Sequence, residues 1–322
     1  MSYGMDGHVA IGFQNSFGTA NVDSFHYFPI ITESLAEKVT PLVSEGMRGR
    51  FEAGDDYDGP REVGGDVVFP AHPVLIGKAL KAWCGQASGT LATSAYTHTF
   101  KPRTVDFDGY AAVPPMTVEV YRGAGSAHQY YDMLCDALVI EVAYGQIVKA
   151  TMTLMGGKFG KVEKTAPSYL PGSEYTWDQS SVSFQGSADG AIDDLSAFTI
   201  TMKNNLTAKG TLDGSRYPNR IKRNDFRMIE LAGTMIFVND QEFDHYRNMA
   251  AQRVVFTITG QNVSSGVPAK FEIDIPHFRY SAFPVNIGGP AMIEAGFAGE
   301  AKYHSDSGTM IQFTLVNTLV AY

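Results

Sequence analysis

Apolar and polar residues alternate with period two along most of this chain. Val148, Ala150, Met152 and Leu154 stand against Ile147, Lys149, Thr151 and Thr153. Phe198, Ile200 and Met202 stand against Thr199, Thr201 and Lys203, and the chain ends with Ile311, Phe313 and Leu315 against Gln312 and Thr314. This is the signature of strands with one face in a core. A helical period replaces it at Leu75, Ile76, Ala79, Leu80 and Trp83, and again at Phe243, Tyr246 and Ala250, predicting helices over 72–83 and 240–250. For the second helix, Asn239 is the expected cap and Glu242 is placed to complete a capping box.

The pattern repeats. Glu62-Val63-Gly64-Gly65-Asp66-Val67-Val68-Phe69 leads into the first helix, and Glu230-Leu231-Ala232-Gly233-Thr234-Met235-Ile236-Phe237 leads into the second, at a constant offset of 168. Downstream, Ala137 to Ala150 echoes Ala282 to Ala295 at an offset of 145. Such repetition predicts two copies of one β-rich unit. The first copy is 23 residues longer between helix and last hairpin, and the expected place of that insertion is 101–127, with Pro102, Pro114, Pro115 and Gly123-Ala124-Gly125-Ser126.

The resulting division is an N-terminal arm over 1–43, a first unit over 44–165, a linker over 166–179 and a second unit over 180–322. The arm carries turn formers and aromatics in Gly12-Phe13-Gln14-Asn15-Ser16-Phe17-Gly18-Thr19 and has no core of its own, so it is expected to dock elsewhere. Met47 to Phe51 reads as a strand, Gly54 to Pro60 as an acidic turn, and Glu62 to Phe69 as the partner strand. Further strands are expected near 90–101, 115–121, 129–142, 147–155, 180–184, 252–260, 269–275, 278–287 and 291–303.

Composition agrees with a folded, mainly β chain long enough for two cores. The net charge of −9 argues against sequence-specific nucleic-acid binding, which needs Lys and Arg to neutralise phosphates. It suits a surface past which DNA travels. Cys84 and Cys135 read as two buried thiols. The N-terminus lacks a secretory pattern, and no apolar run suggests a membrane span.

Catalytic and metal patterns are weak throughout. His98, between Thr97 and Thr99, reads as a surface strand histidine, and His245 has acidic neighbours but no second histidine at metal spacing. Asp55, Asp56 and Asp58, and Asp189, Asp193 and Asp194, are acidic clusters of the kind common in turns, and the first lacks the Glu at the twelfth position of an EF-hand loop. The glycines at 123–126 lack the Lys-Ser/Thr pair of a phosphate loop, and no Gly-x-Ser-x-Gly elbow occurs. The expectation is no enzyme, no cofactor and no metal.

Gly12-Phe13-Gln14-Asn15-Ser16-Phe17-Gly18-Thr19, Phe28-Pro29-Ile30, Glu33-Ser34-Leu35, Met47-Arg48-Gly49, and Val63 to Val67 with Leu75 to Leu80 together resemble the tail tube (major tail) proteins of long-tailed bacteriophages. The resemblance is strongest over 10–85. It implies a mainly β fold: two tandem tail-tube-type β-sandwich domains, each with one flanking α-helix, assembling into a ring around a continuous β-barrel lumen. Rings would stack into the conduit for DNA ejection. Three chains would close a pseudo-sixfold ring; a six-chain ring with the second unit outside is the other stoichiometry. Implied partners are the chain itself, the tail terminator, tape measure and distal tail proteins, and DNA passing without specific binding, with no membrane. The place is the virion tail, after assembly in the host cytoplasm.

On this resemblance the lumen-lining hairpins are Met47 to Ala53 with Arg61 to Phe69, and the counterpart near Lys222 to Val238. They supply Arg48, Arg50, Glu52, Glu62, Asp66, Arg223, Arg227, Glu230 and Thr234. Candidate contacts between subunits or rings are Phe13, Phe17, Tyr27, Phe28, Asp55, Asp56, Asp58, Tyr110 and Tyr121. The basic cluster Arg216, Arg220, Lys222, Arg223 and Arg227 is expected to pair with acids across a subunit boundary. The competing readings are a distal tail or capsid-decoration binding protein, and a carbohydrate-active β-sandwich.

Overall fold

The computed structural model describes residues 3–20, 22–47, 49, 51–52, 54–92, 94–105, 113–184, 194–264 and 266–322. Arg48, Arg50, Tyr110, Asp189 and Asp193 lie outside them. Strands hold 53% of the chain, against two α-helices among the described residues, so the molecule is mainly β with large antiparallel sheets.

The first half comprises β1 (His8–Phe13), β2 (His26–Phe28), β3 (Thr32–Glu33), β4 (Ala36–Val39), β5 (Arg61–Pro70), α1 (Leu75–Cys84), β6 (Ala87–Ala92), β7 (Ala95–Phe100), β8 (Met116–Tyr121), β9 (Ala127–Ala143) and β10 (Lys149–Val162). The second comprises β11 (Ser180–Phe184), β12 (Leu195–Lys203), β13 (Leu206–Lys209), β14 (Arg220–Arg223), β15 (Met228–Ile236), α2 (Gln241–Arg247), β16 (Gln252–Ser264), β17 (Val267–Ala282), β18 (Glu294–Ala301) and β19 (Gln312–Asn317). The predicted apolar stripe of α1 is wholly buried, and the helix stops at Gly85, whose φ of 82° and N–H to Lys81 O form a left-handed C-cap.

Two long strands organise the sheets. β9 keeps β10 along one edge, while its other edge pairs first with β8 and then, over Ala137–Ala143, with β12. β17 keeps β16 along one edge, while its other edge pairs first with β19 and then, over Phe278–Ala282, with β18. A central sheet therefore runs β4, β5, β10, β9, β12, β15, β18, β17 through both halves. The second layer holds β2, β1 and β8 on one side and β6, β7, β19, β16 and β11 on the other. One apolar core fills the space between, with Trp83 against Phe313 and Tyr175 against Phe271, ring centroids 6.4 Å apart in each pair. Each large side chain so buried contributes about 2 kcal/mol against exposure to water.

The pairing β4–β5–β10 in the first half has the same order as β12–β15–β18 in the second. Asp66 faces Thr153, and Thr234 faces Gly296, two residues from the register that the sequence offsets give, so the same faces stay inward. Two glycines mark the equivalence. A Cβ on Gly65 would lie 2.5 Å from Ser34 O, and one on Gly233 would lie 2.6 Å from Ala197 O.

Several expectations change. The segment read as an arm is woven in, because β1 pairs with both β2 and β8. The described residues of Met47 to Phe51 form no strand: Gly49 has φ of 68°, and β4 takes the place beside β5. The extra length of the first half includes the β6–β7 hairpin, which pairs with β19 through β7, and is not confined to 101–127. β10 extends through Val162, well past the strand expected near 147–155. His98 is buried, with Nε2 2.8 Å from Leu319 O, because the C-terminal segment covers β7. At α2, Asn239 Oδ1 accepts from Gln241 N–H, while the Glu242 carboxylate accepts from Tyr280 and Gln252 and forms no capping box. Cys84 and Cys135 are free and buried.

Candidate functional site

The central sheet has one buried and one open face. Val67, Met152, Leu138, Ile140, Phe198, Ile200, Leu231 and Phe297 point inward along their strands. The residues between them point outward, and none is fully buried. Register aligns the outward set into rows. Val68, Thr151, Val139, Thr201, Glu230, Glu300 and Arg279 stand side by side across seven strands of both halves. Thr is frequent here because a β-branched, uncharged side chain fits a pleated, half-exposed surface.

Acidic groups outnumber basic ones on this face. Glu62, Asp66, Glu141, Glu230, Glu294 and Glu300 stand with Lys38, Lys149, Lys203, Arg279 and Lys302. Glu230 sits directly opposite Glu300, an unfavourable pair if left alone. Lys203 Nζ lies 3.6 Å from Glu230, and Lys302 pairs with Glu300, so each carboxylate has its own cation. Thr153 Oγ1 donates to Asp66 Oδ1 at 2.7 Å, across the β5–β10 ladder.

Of the residues singled out from sequence, the structure brings Glu62, Asp66, Glu230 and Thr234 to this face. Glu52 is exposed in the loop before β5. Arg223 and Arg227 go elsewhere. Arg223, on β14, donates from Nε to Asn204 O and from Nη2 to Asn204 Oδ1, both at 3.0 Å. Arg227 packs over the Trp83 ring at 5.3 Å, and burial, with Arg223 nearby, lowers its pKa to about 10. Alternation explains it: Arg227 has the parity of Ile229 and Leu231, which face the core.

The proposed contact residues divide similarly. Phe28 is fully buried edge-on against Phe69, and Tyr27 is buried beside His8. Phe13 lies under Lys81 Nζ at 4.5 Å, and Phe17 packs on the small cluster of Leu206 and Ile221. Tyr121 is partly buried below Lys164. These aromatics serve the chain's own packing. Asp55, Asp56 and Asp58 are exposed, and Asp58 binds Arg61 at 3.1 Å and Arg216 at 3.0 Å, joining the halves within one chain.

Sequence reasoning missed Lys149, Glu141, Lys203, Glu294 and Glu300. Their alternation was visible, but which outward faces join into one wall depends on the β9–β12 pairing.

The arrangement is a polar wall of side-by-side Thr and charged side chains. His8 Nε2 and Glu119 Oε1, a histidine–carboxylate pair at 3.0 Å, have side chains only 3% and 1% exposed, out of reach of a substrate. Among the described residues no group of three or more His, Cys, Asp or Glu is placed to hold a metal. A cavity of about 250 Å³ between the halves, lined by His72, Glu174, Tyr175, Asn262 and Asn317, is small for a ligand pocket. No helix among the described residues is long and apolar enough to cross a membrane. None of the curated proteins matches the chain. The family model described as phage tail tube protein matches residues 4–301. With that match spanning most of a mainly β chain, this protein belongs to the phage tail tube protein family.

Proposed function

We propose that this chain is a structural protein, not an enzyme, that self-assembles into stacked rings forming the tail tube of a phage virion, the conduit for DNA ejection. The observation that carries the reading is the continuous central sheet, whose β4–β5–β10–β9 group is followed by an equivalent β12–β15–β18–β17 group. Each group acts as one tandem tube-type domain. The β9–β12 ladder is then a ring junction made inside the chain. Three chains supply six such groups and close a pseudo-sixfold ring by a head-to-tail contact. The open face turns to the lumen. Its slight excess of carboxylates, within a chain of net charge −9, keeps phosphate from adhering, so DNA passes without stalling.

Ring ends and the tube tip meet the other tail proteins, namely terminator, tape measure and distal tail protein. Assembly takes place in the host cytoplasm. Negative-stain electron microscopy of the concentrated protein tests the reading: hollow tubes of stacked trimeric rings are expected, and a monodisperse monomer at every concentration overturns it.

A further inference from the structure

The ladder joining the two halves also describes a contact that one chain leaves open. Resting on the tube reading above, we infer that β4 of one copy pairs with residues 283–286 of the next, in the register that β12 keeps with β9.

In the first half, Ala137–Ala143 lies between β10 and β12. The repeated stretch in the second half, Ala282 to Ile287, continues β17 and keeps β18 on one side, through Tyr280–Gly299 and the Val285–Ala295 bridge. On its other side β16 ends at Gln252, opposite Phe278, and no strand follows beyond it among the described residues. β4 is the counterpart of β12, since both pair with the strand carrying the repeated glycine, and its outer edge has no strand beside it among the described residues. The central sheet thus begins and ends in open edges that complement each other, and open edges invite a neighbouring chain.

Burial points the same way. Val142 and Met202, at the internal ladder, are 8% and 0% exposed. Their counterparts Ile287 and Val39 are 82% and 45% exposed, apolar side chains that the described residues leave open to water in large part. A second copy of this chain covers both at once. Transferring the internal register sets Ala36 opposite Asn286, Glu37 opposite Val285 and Val39 opposite Phe283, as Thr199, Ile200 and Met202 stand opposite Glu141, Ile140 and Leu138.

The test joins Ala36→Cys with Asn286→Cys in one chain, both sites being exposed while Cys84 and Cys135 stay buried. Directly opposite Cβ atoms are about 5 Å apart, within reach of a short bismaleimide. Treated tubes should give covalent dimers and trimers on denaturing gels, at least tenfold more than Ala36→Cys with Ser281→Cys, whose partner lies roughly 17 Å off register. Separately, Ile287→Asp should raise the concentration needed for assembly at least tenfold with an unchanged Tm. Tubes that form without the matched crosslink, equal yields from both pairs, or an Ile287→Asp chain that assembles like wild type overturn the seam and leave the tube reading standing. A wild-type protein that forms no rings overturns both.

Discussion

Asn204 accepts, through Oδ1, a hydrogen bond of 3.1 Å from Arg227 Nε at the point where β12 ends. The same side chain donates from Nδ2 to Trp83 O and Cys135 O, each at 3.1 Å, and it is wholly buried. One amide thus ties α1, β9 and the loop before β15 together. Replacing it by Ala removes these three hydrogen bonds and the one that Oδ1 accepts from Arg223 Nη2. Asn204→Ala is expected to lose about 3 kcal/mol of stability, read as a lower urea midpoint.

Gly65 and Gly233 each let a neighbouring strand approach where a Cβ has no room. Gly65 also has φ of 148°, which an L side chain rarely adopts. Gly65→Ala and Gly233→Ala should each cost about 2–4 kcal/mol. Gly160→Ala, where nothing lies within 4 Å of the added carbon, should stay within about 0.5 kcal/mol of wild type. Thermal melts of the three variants decide it; equal losses at all three sites would refute the steric account.

Much of this was readable beforehand because it is local. Leu75 to Trp83 could only bury its stripe as a helix, and Lys149 to Met155 could only alternate as a strand. Pairing across the chain was not readable. Nothing near Ala137 says that its strand's outer edge waits for Lys203, and the repeated glycines show their purpose only beside Ser34 and Ala197. Turn-forming residues around Phe13 and Phe17 suggested an exposed arm, but β1 gains a ladder with β8 that local propensity does not reveal. The outward charges were visible one by one; their union into one wall is a tertiary fact.

Glu119 pins the crossing segment that follows β10. Its Oε1 accepts from Thr165 N–H at 2.9 Å and Thr165 Oγ1 at 2.6 Å, besides the contact with His8. Glu119→Ala removes all three, and breaking such a buried polar pair costs about 3–5 kcal/mol. Glu119→Gln keeps an acceptor and should lose less than half as much. Limited proteolysis near Thr165 should be faster in the Ala variant than in the Gln variant; equal cleavage would show that the carboxylate does not hold the segment.

Acid should weaken the fold through His26. Burial, with Lys78 and then Lys81 nearby, lowers its pKa from 6.5 to about 4. Between these values the unfolded chain takes up a proton that the folded chain refuses. Stability is therefore complete above pH 6.5, falls as the pH drops toward 4, and changes no further from this group below that. The side chain is only half-buried, so solvent screening reduces the effect to about 1 kcal/mol. His72, His98, His128 and His277 are shifted in the same direction, each chiefly by burial, so the wild-type loss exceeds that of one histidine. His26→Gln isolates the one term: between pH 7 and 4.5 its urea-derived stability should fall by about 1 kcal/mol less than that of wild type. If the two proteins lose the same amount, His26 is not held neutral in the fold.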